Sequence, residues 1–83
     1  MQEFSEKLAL RIKELRAEHG FTQASLAKEI SMSRSELAEI ETARRNASGI
    51  MIARITSGLG ITIRDFYNSP LFDFVPEPAP KKS

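Results

Sequence analysis

The sequence predicts an all-α protein: a compact body of five short helices followed by a C-terminal arm and tail. Three features of the chain carry that reading. Apolar residues recur at three- and four-residue spacings in separate segments, hydroxyl residues stand just ahead of those segments where they cap, and Gly20 and Gly60 stand just behind two of them.

Phe4, Leu8, Ile12 and Leu15 define the inward stripe of a first helix, with Glu6, Lys7, Arg11, Lys13 and Glu14 between them, and Gly20 should end it. Thr22 caps a second helix with Leu26, Ala27 and Ile30 inward, which stops after about two turns of 3.6 residues at Ser31-Met32. Ser33 and Glu36 have the spacing of a capping box, so a third helix begins there and buries Leu37 and Ile40. Two short helices joined by a turn of about three residues have helix-turn-helix spacing.

Ser48 caps a fourth helix with Ile52, Ile55 and Leu59 inward, closed by Gly60. Thr62 and Asp65 cap a fifth around Ile63, Phe66 and Tyr67, which must stop before Pro70 because the residue ahead of a proline disfavours the helical region. Residues 1–69 therefore form the body. Residues 70–83 divide into "LFDFV", an arm that packs on the body or on a partner, and "PEPAPKKS", a tail with nothing to bury and the composition of a disordered segment.

A chain of 83 residues makes one small domain and buries only about 60% of its unfolded surface, so a partner chain would add stability. The absence of cysteine removes disulfides and thiolate metal sites. No apolar run approaches the length of a membrane span or signal peptide, which points to the cytoplasm. Twelve basic residues against eleven acidic ones leave a formal charge of +1, so any basic face must come from placement. "TARRN", Thr42 to Asn46, sets two arginines together with no acid beside them.

A helix with an exposed first turn can enter the major groove, about 12 Å wide, and offer its N-terminal side chains to base edges. Arg34 and Ser35 occupy such a turn, Glu39 follows one turn later on much the same face, and Gln23 opens the preceding helix. Arg34 can give guanine O6 and N7 two parallel hydrogen bonds. Ser35 suits several bases and specifies little. A carboxylate such as Glu39 is repelled by phosphates unless it accepts from cytosine N4 or pairs with an arginine, for which Arg34 is the candidate. Glu36 is read as a cap, and Arg44 and Arg45 as phosphate clamps.

"ELRAEHGFTQASLAKEISMSRSELAEIETARRN" with "IARITSGLGITIRDFY" resembles the phage-repressor and Cro-like helix-turn-helix family, the XRE family, over roughly Leu8 to Tyr67. The match includes the spacing of Gln23, Ala27, Leu37, Ile40 and Glu41 as well as the apolar pattern. The resemblance implies a lambda-repressor-like fold in which Gln23 grips a phosphate, Arg34, Ser35 and Glu39 face bases, and Ser33, Thr42, Arg44, Arg45 and Asn46 lie along the DNA backbone. It also implies a structural ion pair between Arg16 and Glu41. The chain departs from the family at Ser31, where glycine is usual, and at Ala47 and Gly49, which leave a looser loop.

Double-stranded operator DNA is the expected partner, read as a homodimer because one helix-turn-helix covers only a few base pairs. The apolar surface of Ile63, Phe66, Tyr67, Leu71, Phe72 and Phe74 is the expected dimer contact. Size and layout resemble a Cro-type repressor or a restriction–modification controller protein. The rival reading is an antitoxin-type interaction module that captures a partner protein with "SPLFDFV". No metal, cofactor or small-molecule ligand is expected. His19 sits where a partial positive charge suits a helix C-terminus, and no nucleophile, phosphate loop or acidic cluster suggests an enzyme.

Overall fold

The computed structural model describes residues 2–76. The order is α1 (Gln2–Glu18), α2 (Gln23–Glu29), α3 (Arg34–Glu41), α4 (Gly49–Leu59) and α5 (Ile63–Tyr67), then a single 3₁₀ turn at Pro70–Phe72, with no strand among the described residues. None of the described helices is long and apolar enough to cross a membrane. Of the expected disordered tail, residues 76–83, all but Pro76 lie outside the described residues.

Helices α2 to α5 each start where a hydroxyl group meets an orphan backbone N–H. Thr22, Ser33, Ser48 and Thr62 accept from Ser25, Glu36, Met51 and Asp65 respectively. The Thr62 cap is a full reciprocal box with Asp65, and Thr22 forms another with Ser25. The box expected at Ser33 is only half made: Glu36 Oε1 takes the hydroxyl proton of Ser33 at 3.2 Å rather than reaching back to its backbone N–H.

Helices α1 to α4 end by one device. In a Schellman motif the chain turns through a left-handed residue just past the helix, and two backbone N–H groups reach back to carbonyls of the last turn. Gly20 and Gly60 supply that residue after α1 and α4, at φ 76° and 73°. The same pair of bonds closes α2 and α3, but there the left-handed residues are Ser31 (φ 55°) and Ala43 (φ 59°). Both ends of the loop system around α3 thus carry backbone strain that a side chain makes costly.

The helices enclose one core in which Phe66, Ile12, Leu26, Leu37, Ile40 and Ile55 are the largest fully buried side chains. Helices α2 and α3 pack on each other, and α3 also packs on α1. Gly58 lets α4 approach α2, since a Cβ there would collide with Ile30 Cγ2. Phe66, expected on a surface shared with a second copy, is 0% exposed and instead closes the chain's own core. The reason is α5's short length: its inward side must plug the bundle, which leaves Ile63 and Tyr67 outside.

The arm folds back onto the same chain. Phe72 meets Phe4, Phe66 and Tyr67 with ring centroids 6.3, 6.1 and 5.1 Å apart, and Phe74 meets Phe4 at 6.1 Å with Lys7 Nζ over its face at 4.8 Å. Arg11, which stands between the inward positions of the α1 stripe, donates to the carbonyls of Phe66 at 2.7 Å and Asp65 at 2.8 Å. Both carbonyls belong to the last turn of α5, that of Asp65 also accepting from Asn68 N–H at 3.3 Å, so a cation there suits the helix dipole.

Candidate nucleic-acid interface

The frame of the site is a charge network buried between α1, α2 and α3. Arg16 Nε and Nη2 donate to the two carboxylate oxygens of Glu41 at 2.7 and 3.1 Å, in the bidentate geometry a guanidinium favours. The Glu41 side chain is only 1% exposed, and burial of a charge is tolerable only when it is paired and hydrogen-bonded throughout. Gln23 Nε2 adds a third bond to Glu41 Oε1 at 3.1 Å, while Arg16 Nη1 donates to Phe21 O at 2.9 Å. No buried side-chain polar atom among the described residues lacks a partner. One carboxylate therefore holds the start of α2 against the ends of α1 and α3.

The turn between α2 and α3 is held from below by a residue that sequence reasoning did not single out. Arg54 of α4 donates through Nη2 to Ile30 O at 2.6 Å and Ser31 O at 2.8 Å, satisfying the carbonyls at the left-handed turn. An arginine at a polar position of a helix gives no sign of its tertiary acceptor, so nothing in the pattern marks Arg54 apart from any solvated base.

On this frame α3 presents its first turn. Arg34 and Ser35 are exposed, and Arg34 makes no side-chain hydrogen bond to the described residues. Gln23 lies at the first position of α2, half-buried through its bond to Glu41. Other residues expected along the DNA backbone are already engaged. Ser33 spends its hydroxyl on the cap, and Thr42 Oγ1 gives its proton to Ala38 O at 2.9 Å. Asn46 Oδ1 accepts from Ser5 Oγ at 2.9 Å, which leaves the amide NH₂ as its outward group. Arg44 is exposed.

Glu39 is paired, but with Arg45 rather than Arg34. Its Oε1 accepts from Arg45 Nη2 at 2.8 Å and Nε at 3.2 Å. The Schellman turn at Ala43 explains the choice: it winds the loop back so that the N–H groups of Arg44 and Arg45 both reach Glu39 O, which brings the Arg45 side chain onto α3. Hydrogen bonding and attraction to Glu39, with a lesser pull from Glu36, hold the Arg45 guanidinium above its usual pKa.

The sequence model of the helix-turn-helix family matches residues 12–66, from the buried stripe of α1 through Phe66. The chain belongs to that family. The control protein C.MunI of Mycoplasma sp is 30% identical over 69 residues, spanning 82% of this chain and 93% of that protein. Among solved structures, the restriction-modification controller protein C.AhdI of Aeromonas hydrophila superposes with TM-score 0.71 at 31% identity, covering 75% of this chain and 94% of the other. The clp gene regulator ClgR of C. glutamicum superposes with TM-score 0.71 at 29% identity, covering 75% of this chain and 80% of its own. Controller-type and gene-regulator relatives thus share the same helix-turn-helix frame.

Proposed function

We propose that this chain, a DNA-binding transcriptional regulator, acts as a homodimer in the cytoplasm, binding a pseudo-palindromic operator and repressing or switching a nearby promoter. Similarity to controller proteins favours control of a restriction–modification type promoter, its own included. The observation that carries the proposal is the exposed, capped first turn of α3, with Arg34 unengaged by the described residues, standing on a rigid buried network. Arg34 reads a guanine in the major groove and Ser35 a neighbouring base or phosphate. Gln23, Arg44 and the amide of Asn46 fix the register on the backbone, which carries no sequence information itself.

Two copies then place two α3 helices about 34 Å apart on one face of the duplex. Ile63, 52% exposed, and Tyr67, 39% exposed, supply the apolar surface for that contact, with the half-buried Leu71 beside them. The arm's rings are occupied within the chain, which disfavours the antitoxin-type reading in which that segment captures another protein. Titration of a selected operator against scrambled DNA tests the proposal. Arg34→Ala should lower specific affinity by about 1–3 kcal/mol and leave binding to scrambled DNA nearly unchanged. Equal losses on both would put Arg34 on the backbone.

A further inference from the structure

We propose that Glu39 touches no base and is instead a positioning residue that sets Arg45 to read a guanine, in place of the phosphate contact expected from the loop position of Arg45. The inference rests on the operator-binding reading above and adds a second base-reading arginine to it.

The geometry divides the guanidinium into two edges. A guanidinium carries five N–H donors in a rigid fork. Glu39 Oε1 takes Nε–H and one N–H of Nη2, at 3.2 and 2.8 Å. The outer edge, Nη1 with the second N–H of Nη2, faces away from the carboxylate and has no acceptor among the described residues. That edge has the spacing for guanine O6 and N7, the bidentate match of arginine to a base pair. The pair can therefore persist while the base is read.

Placement points the same way. Glu39 is one turn beyond Ser35 on α3, and Glu36 also acts on Arg45, so the guanidinium lies over the outer side of the helix rather than out along the loop. Two backbone bonds to Glu39 O, from Arg44 and Arg45 at 2.8 and 3.2 Å, hold the loop there. A carboxylate neutralised by its own arginine also escapes the repulsion that phosphates would otherwise exert on it. Electrostatic attraction alone would favour an unpaired arginine as a phosphate clamp, and Arg44 fills that description better.

The test is a panel of operator duplexes, each with one base pair changed, titrated with wild type, Glu39→Ala, Arg45→Lys and the double variant. Wild type should lose tenfold or more, about 1.4 kcal/mol, at one guanine assigned to Arg45. Arg45→Lys keeps the charge but not the fork, so it should abolish preference at that base pair with scrambled-DNA affinity unchanged. Glu39→Ala should abolish the same preference, keep those of Arg34, and bind scrambled DNA at least as well, with the double variant no worse than either single one. Loss by Glu39→Ala at a different base pair would mean that Glu39 reads a base itself, and unchanged preferences in both variants would return Arg45 to the backbone. Either result overturns the inference while leaving the operator reading intact, whereas a wild type indifferent to every base change would remove both.

Discussion

Ser31 and Ala43 sit in left-handed backbone at the two ends of the loop-helix-loop that carries α3. For a residue with a Cβ that conformation costs about 1–2 kcal/mol, and glycine removes the cost at the expense of some chain entropy in the unfolded state. Ser31→Gly and Ala43→Gly should each stabilise the chain, raising the melting temperature by about 4–8 °C per kcal/mol gained in a domain of this size. Calorimetry checks this directly, and an unchanged or lowered melting temperature would show that the turns are relaxed. The Ser31 position is visible in the sequence as a departure from the family's usual glycine. Ala43 is not, because the αL residue after a helix is recognisable only when it is glycine or asparagine. Glu41 shows the opposite sensitivity. Replacing it with alanine leaves Arg16 without its buried partner, and breaking a buried ion pair costs about 3–5 kcal/mol. Chemical denaturation of Glu41→Ala should show a loss in that range, and a loss below about 1 kcal/mol would mean that the network is solvated.

At the level of elements, helix boundaries were legible because caps and glycines are local chemistry: Thr22, Ser48, Thr62, Gly20 and Gly60 all stand where the chain pattern put them. The exposed turn with Arg34 and Ser35 was legible for the same reason. Contacts that join elements were not. Arg54 on the turn carbonyls, Arg11 on the end of α5 and Arg45 on Glu39 are all bases with partners far away or across a turn; periodicity marks Arg11 and Arg54 only as polar helix positions, and the loop position of Arg45 suggests only a phosphate clamp. Arg54 offers the clearest test of such a contact. Arg54→Met keeps much of the stem but strands the Ile30 and Ser31 carbonyls, so hydrogen exchange should quicken at the start of α3 well before global unfolding. Exchange changes confined to α4 would show that the arginine does not hold the turn.

For the whole molecule, the arm belongs to the fold before it belongs to any interface. Phe72 is wedged among Phe4, Phe66 and Tyr67, and large-to-alanine changes at packed aromatic sites cost about 3–5 kcal/mol when fully buried. Phe72 is only partly buried, so Phe72→Ala should cost about 2 kcal/mol, less than that full range. A dimer built on Ile63 and Tyr67 makes a separate prediction, since both are exposed in the single chain. Ile63→Asp should leave the melting temperature of dilute protein nearly unchanged and shift sedimentation from dimer to monomer. The sequence placed the whole apolar C-terminal cluster at a dimer contact because burial within one chain and burial between two look alike in composition. Only packing separates Phe66, inside, from Ile63 and Tyr67, outside.

The most direct test of a dimeric, sequence-reading regulator is selection of binding sites by the purified full chain from a random duplex library at near-physiological salt. The account predicts enrichment of a pseudo-palindrome whose half-sites lie about one turn, roughly 34 Å, apart and each contain guanine. Weak, salt-sensitive binding to every duplex, with no sequence enriched, would contradict it.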